Sequence, residues 1–184
     1  MVADTPHPPN TIYLITMANP ILVVEYDTQW PGHFLMLRTS IANALDHLAA
    51  AIEHVGSTAV PSLAAKPIID IDVLLTPEAS ISAAIDRLAT LGYVHQGDLG
   101  IPGREAFLTP ANSVPHHLYV CPSGSREFQR HLAFRDYLRT HPHAAAAYGE
   151  LKKSLASHFR DNRSAYTDAK SGFVEDILSR AGNS

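Results

Sequence analysis

The sequence predicts an α+β fold, a mixed strand-and-helix front followed by an all-helical tail. Three observations predict it. Short runs rich in Val, Ile and Tyr, bounded by Gly, Pro and Ser, alternate with segments of helical period up to about residue 122. From Ser125 onward no strand-like run remains, and apolar residues recur every three or four positions. The chain has 184 residues, 46% of them hydrophobic and 17% charged, which suits one core with a helical extension. The expected division is a loose lead over 1–20, an α/β core over 21–122 and a helical region over 123–184 packed on that core.

Taken in order, Ile21 to Glu25 is a β-rich run and reads as a first strand. Pro31 is suited to the first turn of a helix, and Phe34, Leu37, Ile41, Leu45 and Leu48 give that helix its apolar stripe, to about Ala50. Ala51 to Val55 returns to a strand, and Gly56 to Pro67 is a turn region. Ile68 to Leu75 is a strand dense in Ile and Val. Thr76-Pro77-Glu78 has the make-up of a helix start, with Ile81, Ala84, Ile85, Leu88 and Leu91 as the stripe and Gly92 as the stop. Three more strands are expected at Tyr93–His95, Glu105–Leu108 and His117–Val120. In the tail, Phe128 to Leu138, Tyr148 to Phe159 and Tyr166 to Leu178 are three helices, the first ending at the His141-Pro142 break.

Composition excludes several functions. A net charge of -4 argues against general nucleic-acid binding, which needs a basic face to displace counterions, though a local basic pocket stays open. The single cysteine, Cys121, forms no internal disulfide and no cysteine-rich zinc site; it reads as a small residue at a strand end, and the expected address is cytoplasmic. No run is long enough to span a membrane, and Ile12 to Met17 is too short for the core of a signal peptide.

The chemistry concentrates around one turn and one strand. Asp70 and Asp72, at i and i+2 in a strand, share a face while Ile69, Ile71 and Val73 share the other. Two neighbouring carboxylates repel unless a cation lies between them, and Mg²⁺ or Mn²⁺ uses such a pair together with substrate phosphates. A bare pair is more often the polar outer face of an edge strand. Upstream, a strand runs into Gly56-Ser57, where glycine lets the backbone approach a phosphate and Ser57 adds a hydroxyl. Lys66 and Arg104 are candidate cations for the phosphates, with surface ion pairs as the plain alternative. His116 and His117 face opposite sides of their strand; if the apolar side is core, His117 looks into the site as metal ligand or general base. Lys152, Tyr166 and Lys170 are in reach of such a pocket, although Lys152-Lys153 reads first as a solvated basic patch, and His131, His141 and His143 attract no role.

Read together, these segments resemble the GrpB family. The likeness runs from Val23-Val24-Glu25-Tyr26-Asp27 through "AIEHVGSTAVPSLAAKPIIDIDVLL", "LGYVHQGDLGIPGREAF", "HHLYVC" and "HLAFRDYLRTHP" to "YTDAKSGFVEDIL". It implies a nucleotidyltransferase-like fold, a small mixed sheet flanked by helices with a helical C-terminal part. It also implies that Gly56 and Ser57 hold a nucleotide phosphate and that Asp70 and Asp72 bind a divalent metal. The larger superfamily has a third acid on a later strand; here that strand reads His116-His117-Leu118-Tyr119-Val120, so His117 stands in for it. The resulting expectation is a Mg²⁺-dependent enzyme that uses a nucleoside triphosphate, ATP first, on a small-molecule acceptor. The rivals are a module that binds a nucleotide or a coenzyme A-like ligand without chemistry, and an amide ligase that works through an adenylate.

Overall fold

The computed structural model describes residues 20–182. The loose lead and the Ile12–Met17 run lie outside the described residues. The front is a five-stranded sheet of β1 (Ala49–Val55), β2 (Ile69–Leu75), β3 (Val94–Gly97), β4 (Glu105–Leu108) and β5 (His116–Cys121) in the order β1-β2-β5-β4-β3. Only the central β2–β5 pair is parallel. The other pairings are antiparallel, so the sheet is mixed, as the α+β expectation requires.

One face of this sheet is the core. Ile69, Ile71, Val73 and Leu75 of β2 and Leu118 and Val120 of β5 are buried against α1 (Trp30–Leu45) and α2 (Ile81–Ala89). Helix α1 contributes Trp30, Leu37, Ile41 and Leu45, and α2 contributes Ala84 and Leu88. Each large aliphatic side chain buried in this way contributes roughly 1.5–3 kcal/mol. The strict alternation in β2 therefore forces Asp70 and Asp72 onto the opposite face.

The opposite face meets the tail: α3 (Arg126–Thr140), α4 (Pro142–His158) and α5 (Arg163–Gly182). A second cluster of Val60, Leu63, Leu138, Ala145, Tyr148 and Ile177 fastens these helices to the turn region between β1 and β2. Among the described residues no helix is long and apolar enough to cross a membrane.

Three local expectations change. Helix α1 ends at Leu45 rather than near Ala50, because Asp46 takes φ of +51° and β1 begins at Ala49. The Ile21–Glu25 run joins no sheet strand. Its Ile21 N–H bonds Arg160 O at 2.8 Å, and its Val24 exchanges hydrogen bonds of 2.8 and 2.9 Å with Ala65, so it straps the tail to the turn region. Helix α2 starts at Ile81, because Ser80 Oγ accepts from Ala83 N at 3.2 Å, whereas Thr76–Ala79 closes a separate turn.

Candidate functional site

The register sets the site. Asp70 lies opposite Val55 on β1 and His117 on β5; Asp72 lies opposite Glu53 and Tyr119. Cross-strand partners share a face, so these side chains form one polar surface turned to the tail. His117 Nδ1 is 2.8 Å from Asp70 Oδ1, and both side chains are partly exposed. His116 points the other way, as its strand position requires. Its Nδ1–H donates to Val114 O at 2.7 Å and its Nε2 accepts from Tyr93 Oη at 2.7 Å, which makes it a satisfied core histidine.

Gly56 follows β1 with φ of +68°, in the left-handed region that favours glycine. A Cβ there would lie 2.2 Å from Asp70 Oδ2. The glycine therefore allows the backbone to press against the carboxylate, and the chain then turns through Ser57–Ala59. The turn is held from beneath. Thr58 Oγ1 donates to Ile68 O at 3.3 Å, so it accepts from His54 Nε2–H at 2.9 Å. Burial lowers the His54 pKa to about 4, which keeps the ring neutral.

A cavity of about 220 Å³ opens between this turn and the helical tail. Gly56, Ser57, Lys66, Asp70 and His117 line its sheet side, and Phe134, Tyr148, Lys152, Tyr166 and Lys170 line its helix side. Lys152 is not the solvated patch that Lys152-Lys153 suggests: it is 3% exposed, and its Nζ donates to Ala64 O at 2.5 Å. Its neighbour Lys153 is the surface member and pairs with Glu25 at 2.6 Å. Nζ of Lys152 also lies 4.6 Å from the centre of the Tyr148 ring, while Lys170 and Lys66 lie 4.5 and 5.8 Å from that of Tyr166. Burial, then the Lys170 charge, lowers the Lys152 pKa to about 7; burial, then Lys66, lowers that of Lys170 to about 8. Lys66 is depressed chiefly by burial as well. The Asp70 carboxylate opposes all three shifts. Three ammonium groups share one small space with a single carboxylate at its edge, and that space suits a polyanion.

Asp72 stands behind this cavity. Its side chain is fully buried, with Oδ2 2.6 Å from His131 Nδ1. Its Oδ1 is buried without a hydrogen-bond partner. Burial raises its pKa, and the His131 bond and charge, with Arg104, act in the other direction. Arg104 does not line the cavity beside Ser57. Its guanidinium stacks 4.1 Å from the centre of the Tyr119 ring, and its buried Nε has no hydrogen-bond partner. The structure thus brings Gly56, Ser57, Lys66, Asp70 and His117 together and leaves Asp72 and Arg104 outside the cavity lining.

A family model described as GrpB protein matches residues 20–180. The chain belongs to the GrpB family. This GrpB chain is 39% identical over 165 residues to a UPF0157 protein of Pseudomonas aeruginosa, covering 88% of itself and 67% of that relative. It is 33% identical over 153 residues to UPF0157 protein YqkA of Bacillus subtilis, covering 83% of itself but spanning only 45% of YqkA. The crystal structure of conserved protein GrpB from Enterococcus faecalis superposes with a TM-score of 0.79 at 34% identity, over 87% of this chain and 96% of that one. The Cid1 poly(U) polymerase, solved with MgGTP bound, superposes with a TM-score of 0.51 at 11% identity, over 74% of this chain and 44% of that one. The GrpB fold is therefore nucleotidyltransferase-like.

Sequence reasoning missed the part of the site that α3 supplies. His131 reaches Asp72, and the buried Arg135 donates to Glu53 Oε2 at 2.7 Å and to His54 O at 3.0 Å, which ties α3 to the strand leading into Gly56. The available signal was their common segment, "HLAFRDYLRTHP", where His131 and Arg135 stand one helical turn apart on one face.

Proposed function

We propose that this chain is a Mg²⁺- or Mn²⁺-dependent nucleotidyltransferase-like enzyme that transfers the nucleotidyl group of a nucleoside triphosphate, ATP first, to a small-molecule acceptor. The observation that carries it is the meeting, in one cavity, of the Asp70–His117 pair with the three lysines Lys66, Lys152 and Lys170. Carboxylates facing a polycation pocket are what a metal-bound polyphosphate requires.

The donor set fits the metal. Asp72 Oδ1 is a buried oxygen without a partner, and Asp70 lines the cavity. Among the described residues no three His, Cys, Asp or Glu side chains form a complete ligand group. A hard cation held here would therefore take the rest of its shell from phosphates and water. Asp70 and Asp72 would hold it, with His117 as the base rather than a third ligand. When bound, it supplies Lewis-acid stabilisation of the phosphate charge.

Gly56 and Ser57 would cradle the phosphates, and the lysines would neutralise the β- and γ-phosphates. Arg104, behind the cavity, would balance charge at Asp72. Because His117 Nδ1–H donates to Asp70, Nε2 is the nitrogen left to accept a proton. In the reaction, the acceptor oxygen forms a bond to the α-phosphorus, its proton passes to His117 Nε2, and the α–β bridging bond breaks to release pyrophosphate.

One observation favours a second reading, a binding module without chemistry. The positions of β5 opposite Asp70 and Asp72 are His117 and Tyr119, so no third acid is present there. Incubation with each triphosphate, Mg²⁺ and a panel of acceptors separates the readings. Pyrophosphate and a stable nucleotidyl product are expected. Pyrophosphate, AMP and an amide mean an adenylate-forming ligase, and tight binding without turnover means a binding module.

A further inference from the structure

The two aspartates are held in the same manner by two imidazoles from different parts of the chain. His117 of β5 takes Oδ1 of Asp70 at 2.8 Å, and His131 of α3 takes Oδ2 of Asp72 at 2.6 Å. An ionised carboxylate only accepts, so Nδ1 carries the proton in both pairs. Each pairing leaves one oxygen over. At Asp70 it is Oδ2, the atom lying against Gly56; at Asp72 it is Oδ1, buried and without a partner.

The second pairing matters more, because Asp72 is fully buried while Asp70 is partly exposed. Water can orient the Asp70 carboxylate. For Asp72 the orientation has to come from the protein, and His131 makes the one hydrogen bond to that carboxylate among the described residues. The neighbouring charged group, Arg104, is engaged with the Tyr119 ring. An unheld carboxylate rotates about χ2, whereas one held at Oδ2 presents Oδ1 in a fixed direction.

We propose that His131 is a positioning residue for Asp72: its Nδ1–H holds Oδ2 and thereby presents Oδ1 as the oxygen offered to a divalent cation. The proposal rests on the metal-and-phosphate reading above and extends it to a helix outside the sheet. The donor has to sit at the δ position. An asparagine amide nitrogen occupies nearly that place, and a glutamine amide nitrogen reaches past it.

The test is Mn²⁺ alone, titrated into the full chain and followed by the paramagnetic resonance of free Mn²⁺, for wild type, His131→Ala, His131→Asn and His131→Gln. Thermal melting without metal confirms that each variant is folded. The expected result is a loss of Mn²⁺ affinity of about 10- to 100-fold in His131→Ala, the usual range for an orienting partner. His131→Asn should restore most of that loss and His131→Gln little of it. If His131→Ala does not fold, the contrast between Asn and Gln decides. Equal affinity in wild type and all variants overturns the positioning role and leaves the metal reading standing. Folded Asn and Gln variants that bind alike also overturn it, since the effect is then not that of a δ-positioned donor. A wild type that takes up no Mn²⁺ brings down the metal reading and this proposal with it.

Discussion

The cavity has two walls of different make-up and origin. The sheet wall holds Asp70 and His117 on adjacent parallel strands, with Gly56 and Ser57 just past the end of β1 and Lys66 shortly before β2. The helix wall holds Lys152 and Lys170 with the rings of Tyr148 and Tyr166, from α4 and α5. On the sheet wall, partners stand where backbone pairing puts them, and the carboxylate keeps contact with solvent. On the helix wall, the ammonium groups are buried against aromatic faces, and burial lowers their pKa values. The acidic wall is thus complete without a ligand, whereas the basic wall holds charge at a cost that a bound anion would offset. Under the proposed function, this difference would give the walls distinct parts: metal and proton on one side, phosphate charge on the other.

The comparison can be broken most directly at the sheet wall. Asp70→Asn with Asp72→Asn keeps the shape and removes both charges. Mg²⁺-ATP affinity by calorimetry should fall at least about thirtyfold, because losing charged partners at a buried site typically costs about 2–5 kcal/mol. Unchanged affinity in the folded double variant would reduce the acidic wall to a polar surface.

Gly56→Ala should come next. Its Cβ meets Asp70 Oδ2 at 2.2 Å, and φ of +68° strains any side chain. Loss of about 1–3 kcal/mol in urea denaturation is expected, together with weaker Mn²⁺ binding, because the carboxylate must move. A variant as stable as wild type would show that the turn opens freely.

On the helix wall, Lys152→Met keeps the buried stem and removes the charge. Tripolyphosphate affinity should drop about tenfold, the order of one charge-assisted hydrogen bond. Stability should hold or rise, since a buried ammonium is costly. For wild type, the same affinity should decline as pH rises from 7 to 9, because Lys152 and Lys170, with pKa values of about 7 and about 8, lose the protons that attract the anion. A flat profile would remove these lysines from binding.

The last effect is expected beneath the turn, and it shows only in acid. The His54 pKa is lowered to about 4 in the folded chain, so below its ordinary value of 6.5 the unfolded chain takes up a proton first. Stability from this group is present above pH 6.5 and is lost as pH falls towards 4. His54→Gln should flatten the stability profile by up to about 1 kcal/mol per pH unit in that window, measured against wild type by denaturant titration. Parallel profiles would mean that His54 titrates normally.

How far the site was legible follows the same division. The aspartate pair, the Gly56-Ser57 turn and the choice of His117 over His116 follow from a period of two and one glycine, which are local properties of the chain. His131, Arg135 and the buried state of Lys152 do not. A histidine or lysine on a helix reads as solvated unless the surface that covers it is known, and α3 reaches Asp72 across a sequence separation of 59. The Ile21–Glu25 run shows the same limit: its β-propensity is genuine, but Val24 pairs with Ala65 in a single bridge rather than joining the sheet.

By itself, then, the amino-acid sequence determined the alternation that buries Ile69, Ile71 and Val73 and turns Asp70 and Asp72 to the other side, the glycine that lets the backbone approach a carboxylate, and the helical tail. Only the tertiary structure decided that Asp72 is buried and bonded to His131, that Arg104 stacks on Tyr119 instead of lining the cavity, and that three lysines meet at the cavity of Asp70. Backbone periodicity acts between neighbours in the chain. Charge burial is set by what packs over a group, and here that cover comes from helices far away in sequence.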